Sequence, residues 1–178
     1  MRSEPHRWPG TALPPEETDM KAQDFQSLLA QHPFSKGFLP NQIERLAALA
    51  RGVAFEPEQI IFREGEENTE FYLIVSGRAA LEMVVGNRTL RIQTLNGGDE
   101  FGVSALIMGR GTRFQVRALQ RVEALAFHGA EVLEACGTDP ALGFSLMRQL
   151  LVIVSERLDA TRLQLMDTYS PIAARAGA

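Results

Sequence analysis

The chain has 178 residues, 45% of them apolar, enough to fill one core of ordinary size. Its net charge of −4 argues against a surface whose affinity rests on neutralising nucleic-acid phosphates. The only cysteine, Cys136, excludes a disulfide within the chain and thiolate-rich metal or iron–sulfur sites, and fits a reducing, cytoplasmic setting.

Residues 1–22 hold Pro5, Pro9, Pro14 and Pro15 among scattered charges and read as a disordered tail, with too few periodic apolar residues to fold alone. They lack the apolar stretch of a signal peptide, and no run approaches the roughly 20 residues a membrane span needs, so no membrane association is expected. A roll with flanking helices is expected over 23–138. Asp24 suits a helix N-cap, with Phe25, Leu28 and Leu29 on one face until His32-Pro33 stops the helix. Pro40 opens a second helix that places Ile43, Leu46, Ala47, Leu49 and Ala50 on an apolar side and ends at Gly52.

From there the period shifts to short strands: 53–55, 60–62, 70–75, 79–85, 88–95, 114–118 and 124–127. Their separators carry Pro57, Gly65, Gly77, Gly86-Asn87 and Gly97-Gly98, and Gly86-Asn87 is a hairpin signal. Short strands in close succession, without interleaved helices, predict a jelly roll, sandwich or barrel. Between two of them lies GGDEFGVSALIMGRGTRFQVRA, from Gly97 to Ala118: a glycine turn, a short helical segment at 103–108, a loop around Arg110 and a returning strand. Free backbone N–H groups at such a turn favour an anion. Strand alternation points Thr112, Phe114, Val116 and Ala118 inward and Arg113, Gln115 and Arg117 outward.

The helical period returns near Glu131–Cys136, and Asp139-Pro140 then starts a long helix over 139–169, roughly 45 Å, followed by a tail at 170–178. Met147, Leu151, Val154, Leu158, Thr161 and Leu165 recur at spacings of four and three, a coiled-coil seam, with Leu146, Leu150 and Ile153 on an adjoining face. A homodimer through Met147, Leu151, Val154, Leu158 and Leu165 is expected.

No catalytic constellation is visible. His6, His32 and His128 share no ligand spacing, so no metal site is expected; Cys136 has no neighbouring histidine, and Glu64, Glu66 and Glu67 read as a solvated turn. The protein is expected not to be an enzyme and to need no cofactor.

The pieces HPFSKGFLP, FREGEENTEFYLIVSGRAALEM and LNGGDEFGVSALIMG, in this order of elements, resemble the cyclic-nucleotide-binding domain over about residues 24–168. That family includes catabolite activator proteins, kinase regulatory subunits and cyclic-nucleotide-gated channels. The resemblance implies an α+β, mainly β fold: a β-roll with N-terminal helices and a long C-terminal helix. It implies a cradle in which a glutamate holds a ribose hydroxyl and an arginine pairs with the cyclic phosphate. In this chain Gly102, Ala105, Leu106, Gly109 and Val116 keep the pattern. Val103 falls on the glutamate position, Thr112 on the arginine position and Gln115 on a usual threonine or serine, while Phe114 occupies a position normally small. The expected function is therefore a stand-alone regulatory or sensor module that takes a nucleotide or other small ligand by non-standard contacts. Its site would use Gly102, Val103, Ser104 and Ala105, with Arg110 or Arg113 as the cation beside Thr112, and Phe114 as an apolar wall. The alternative is a ligand-free dimeric scaffold with a filled pocket. Direct DNA reading is not expected, since no helix-turn-helix follows the long helix.

Overall fold

The structure, a computed structural model, describes residues 15–18, 22–86, 88–107 and 112–176. Alternation of apolar and polar residues after residue 50 produces two antiparallel sheets among them. One sheet runs in the order β1 (Glu16–Glu17), β2 (Ala50–Phe55), β9 (Val122–His128), β4 (Glu70–Ser76) and β7 (Glu100–Phe101). The other runs β3 (Ile60–Phe62), β8 (Gln115–Ala118), β5 (Arg78–Val85) and β6 (Arg88–Asn96). The inner faces meet in one apolar cluster that includes Phe55, Tyr72, Ile74, Leu95, Phe101 and Val116. Burying each large side chain of this kind contributes about 1.5–3 kcal/mol. The β-roll expected from the sequence is the observed architecture. Val85 pairs with Arg88 across the expected hairpin, although Asn87 lies outside the described residues.

The helices before the roll are α1 (Ala22–Gln31) and α2 (Pro40–Ala47). Pro33 ends α1, and a 3-10 turn, Pro33–Ser35, follows it. Its cap is His32, whose Nδ1 accepts the Phe34 N–H at 3.2 Å, so the Nε2–H donates to the Ile74 carbonyl, also at 3.2 Å. Burial lowers the His32 pKa below its usual value, against smaller opposing effects of the Ile74 bond and Asp99. The neutral ring thereby ties the turn to β4.

Three boundaries depart from the sequence expectation. Helix α2 ends at Ala47 rather than Gly52, because Ala50 joins β2 opposite Phe127. Residues 16 and 17, expected in a disordered tail over 1–22, form β1 on the edge of β2, opposite Ala54 and Val53. Main-chain hydrogen bonds make this pairing, so apolar periodicity does not reveal it; the tail at 1–14 lies outside the described residues. The last helix, α4 (Pro140–Ala176), continues through Pro171, which removes one main-chain donor without ending it, so residues 170–176 are not the expected tail.

The chain divides into two compact units, Met1–Glu134 and Ala135–Ala178. The division falls within α3 (Gly129–Thr138) rather than at the expected 138–139. In the second unit Asp139 caps α4 as expected, its Oδ1 accepting the Leu142 N–H at 3.1 Å.

Candidate ligand cradle

The stretch from Gly97 to Ala118 is built around Gly102, which takes a left-handed conformation at φ 78° and ψ 21°. A Cβ there would collide with the Glu70 carbonyl oxygen and would lie 3.1 Å from Asn68 Nδ2. Glycine is thus required both for the backbone angle and for the close approach to β4. The expected helical segment is a single 3-10 turn, Val103–Leu106. Ala105 N–H donates to the Gly102 carbonyl at 3.0 Å and Ile107 N–H to the Ser104 carbonyl at 3.2 Å. The other side of the turn abuts the start of α3, where a Cβ on Gly129 would collide with the Ala105 carbonyl oxygen. Gly129 N–H donates to the Thr69 carbonyl at 2.8 Å. Two glycines therefore clamp one short turn between the ends of β4 and β9.

Val103, Ser104 and Ala105 are half-buried, and Leu106 is buried. Thr112 is buried too, and its hydroxyl is turned to main chain: Oγ1 lies 2.6 Å from the Arg63 carbonyl and 3.0 Å from that of Glu66. Its own N–H donates to the Glu66 carbonyl at 3.1 Å, and its carbonyl accepts the Gly65 N–H at 2.8 Å. Thr112 thus staples the Arg63–Glu66 turn to the strand leaving the cradle. Arg113 is exposed and Phe114 half-buried. Arg110 lies outside the described residues, as do Met108, Gly109 and Gly111.

The expected alternation along β8 holds from Gln115 onward. Val116 and Ala118 enter the core, while Gln115 and Arg117 reach the outer-facing Glu82 of β5. Gln115 Nε2 donates to Glu82 Oε2 at 2.9 Å, and Arg117 Nε donates to the same oxygen at 3.2 Å. The carboxylate is 93% buried by its side-chain surface and is matched by a cation and an amide.

Polar groups also occupy the inner face of the first sheet. The phase that buries Val53 and Phe55 brings Arg51 to that face, the phase of Tyr72 and Ile74 brings Glu70, and that of Ala124 and Ala126 brings His128. Glu70 and His128 are register partners, and Arg51 Nη2 spans β9 to lie 2.7 Å from Glu70 Oε2. Tyr72, one step inward from Glu70, stacks on Phe101 at a centroid distance of 4.6 Å. Its phenol pKa is pushed up, first by burial and then by Glu70, with Arg51 opposing, so the hydroxyl stays neutral.

Residues 53–139 match the family of the cyclic nucleotide-binding domain. The roll belongs to that family. The chain is 31% identical over 103 residues to the cAMP-dependent protein kinase regulatory subunit of Schizosaccharomyces pombe, covering 58% of this chain and 24% of that protein. It spans about a quarter to a third of the length of the curated relatives it matches, 24% and 31%. Among solved structures, a provisionally named cyclic nucleotide-binding protein from Geobacter metallireducens GS-15 shares 25% identity at a TM-score of 0.66, covering 75% of this chain and 97% of that one. The regulatory subunit of a cAMP-independent protein kinase A from Trypanosoma brucei superposes with a TM-score of 0.66 at 18% identity, covering 81% and 51%.

Sequence reasoning located the turn at Gly102 but not the inner-face trio. Arg51, Glu70 and His128 are far apart in the chain, and only the strand phases, extended to each strand's first or last residue, reveal that they share a face. No group of three or more His, Cys, Asp or Glu residues among the described ones is placed to hold a metal ion. No described helix is long and apolar enough to cross a membrane. On α4, considered by itself, Met147, Leu151, Val154 and Leu158 are 45%, 70%, 50% and 50% exposed, whereas Leu146, Leu150 and Ile153 are buried. The seam and its adjoining face are thus physically distinct. The side chain of Leu165 lies outside the described residues.

Proposed function

We propose that this chain is a non-enzymatic regulatory module that senses a nucleotide or nucleotide-like small molecule in the cradle and works as a dimer through α4. The observation that carries the reading is the Gly102 turn, whose left-handed backbone and close approach to β4 only glycine allows, within a roll of the cyclic nucleotide-binding family. The named relatives support the regulatory part, since two of them are regulatory subunits of kinases. Of the backbone amides at 102–105, those of 102–104 would face the ligand's anion, since the Ala105 N–H already donates to the Gly102 carbonyl. Arg110 and Arg113 flank Thr112 and are the nearest cations in sequence to the arginine position, while Phe114 offers an apolar wall. The exposed Met147, Leu151, Val154 and Leu158 supply the seam, because a strip of apolar residues on a long helix is stable in water only when another surface covers it.

A second reading is favoured by one observation: the Thr112 hydroxyl already serves the Arg63 and Glu66 carbonyls. A pocket closed in this way makes the chain a ligand-free dimeric scaffold. Calorimetric titration with cyclic AMP and cyclic GMP decides between them. Saturable binding weakened by Arg110→Ala or Arg113→Ala supports the sensor with substitute cations. Binding that neither change alters removes those arginines from the site, and absence of binding supports the scaffold.

A further inference from the structure

We infer that the outer edge of β6 is a docking site for an extended, acidic segment of another protein, which adds as a further strand to the second sheet. The inference does not depend on what the cradle holds.

Three of the sheet edges are short. β1 and β7 have two residues each, and β3 has three with a break in its register. β6 is an edge of nine residues, paired to β5 on one side. Native sheets seldom leave so long an edge without a partner or a guard.

The register determines which main-chain groups of β6 face away from β5, because antiparallel neighbours alternate between exchanging hydrogen bonds and pointing apart. The Arg78 carbonyl accepts the Leu119 and Gln120 N–H groups at 2.8 and 3.2 Å, so it faces β8, and its register partner Asn96 faces outward. Further along β5, the Val84 N–H donates to Glu64 Oε2 at 3.1 Å, again away from β6, which turns its partner Thr89 outward. The intervening pairs of the same phase, Ala80 with Thr94 and Glu82 with Arg91, turn Thr94 and Arg91 outward as well. Asn96 is already engaged: its N–H donates to Asp99 Oδ2 at 2.7 Å and its carbonyl accepts the Asp99 N–H at 3.0 Å. The open stretch therefore runs from the hairpin turn to Asp99. The outward main-chain groups of Thr89, Arg91 and Thr94 meet no partner among the described residues.

The side chains select the occupant. β6 carries Arg88 and Arg91, both exposed and without an ion pair among the described residues, and no aspartate or glutamate. Glu82, the register partner of Arg91, already accepts from Gln115 and Arg117. Leu90, in the opposite phase, is 47% exposed. A second copy paired through this edge would gather two arginines from each chain into one seam with no carboxylate to offset them, and like charges on adjacent strands are unfavourable. A strand with carboxylates on one face and apolar side chains on the other meets Arg91 and Leu90 together. Its main chain supplies affinity, and its charge excludes basic competitors.

The experiment is a 1H–15N NMR titration of the full chain with the capped peptide Thr-Val-Glu-Val-Glu-Val-Thr. The comparison peptides have lysine in place of both glutamates, or both glutamate nitrogens methylated, which removes the donors that would face β6. The glutamate peptide is expected to shift the amides of Thr89, Arg91 and Thr94 saturably and to slow their hydrogen exchange. The lysine peptide should bind at least about threefold more weakly, the scale of exposed ion pairs, and the methylated one about tenfold more weakly. Arg88→Glu and Arg91→Glu together are expected to reverse the preference between glutamate and lysine; Arg91→Gln, expected to reduce it, serves if that double variant fails to fold. The site is overturned if millimolar glutamate peptide leaves these amides unmoved, or if either comparison peptide binds as tightly. It is also overturned if the amides of Thr89, Arg91 and Thr94 grow more protected as the free chain is concentrated, which would assign the edge to a second copy.

Discussion

Replacing Gly102 by alanine separates two effects that act together at the cradle. The left-handed angle, φ 78°, disfavours any Cβ-bearing residue by about 1–2 kcal/mol. The Cβ would also run into the Glu70 carbonyl, a main-chain atom fixed in β4, and overpacking of this kind adds about 1–3 kcal/mol. Gly102→Ala should therefore lower the free energy of unfolding by about 2–5 kcal/mol. Gly65 provides the matched control: its φ is 82°, but apart from its chain neighbours no heavy atom lies within 4 Å of where its Cβ would be. Gly65→Ala bears the angular strain alone and should lower stability by about 1–2 kcal/mol. Urea unfolding of the two variants, followed by circular dichroism, gives the difference directly. Equal losses would refute the close approach of the cradle to β4.

Thr112→Val keeps the β-branched shape and deletes the hydroxyl, leaving two carbonyls of the Arg63–Glu66 turn with less donor support; a loss of about 1–2 kcal/mol is expected by the same urea assay, and Thr112→Ser should retain most of the wild-type value. His32 predicts an acid-side instability. Its folded pKa lies below the usual 6.5, so the unfolded chain takes up the proton first and stability is lost as pH falls below about 6.5 towards the folded value. The slope contributed by this one group approaches at most about 1.4 kcal/mol per pH unit, and His32→Asn, whose side-chain oxygen can still accept from Phe34 N–H, should flatten it in urea midpoints measured between pH 5 and 7.5. Leu151→Asp places a charge at the most exposed residue of the four-residue seam and should convert a dimer to a monomer in sedimentation velocity; a wild-type chain already monomeric at micromolar concentration would contradict the seam.

The parts of the fold encoded by local chemistry were the parts legible in the sequence. Gly86-Asn87 between alternating runs marks a hairpin because few residues suit so tight a loop, and Asp139-Pro140 marks a helix start because a side-chain acceptor and a donorless first residue both fit there. Non-local chemistry was hidden. The β1 strand depends on main-chain groups of Glu16 and Glu17 finding the edge of β2, which leaves no pattern in their side chains. Ala50 is apolar and fits a helix face equally well; its pairing with Phe127, 77 positions along, decides for a strand. At the site, the sequence located the turn at Gly102 but showed neither the carbonyls that take up the Thr112 hydroxyl nor the meeting of Arg51, Glu70 and His128. Each of those depends on the register of strands that are distant in the chain.

The central claim is that the cradle accepts a nucleotide-like molecule. Native mass spectrometry of the chain equilibrated with cyclic AMP or cyclic GMP and then desalted tests it most directly. The account predicts a dimer carrying one nucleotide per chain, with occupancy lost in Gly102→Ala at concentrations where that variant remains folded. A dimer of bare mass at every nucleotide concentration would contradict it and leave the scaffold as the function of the roll.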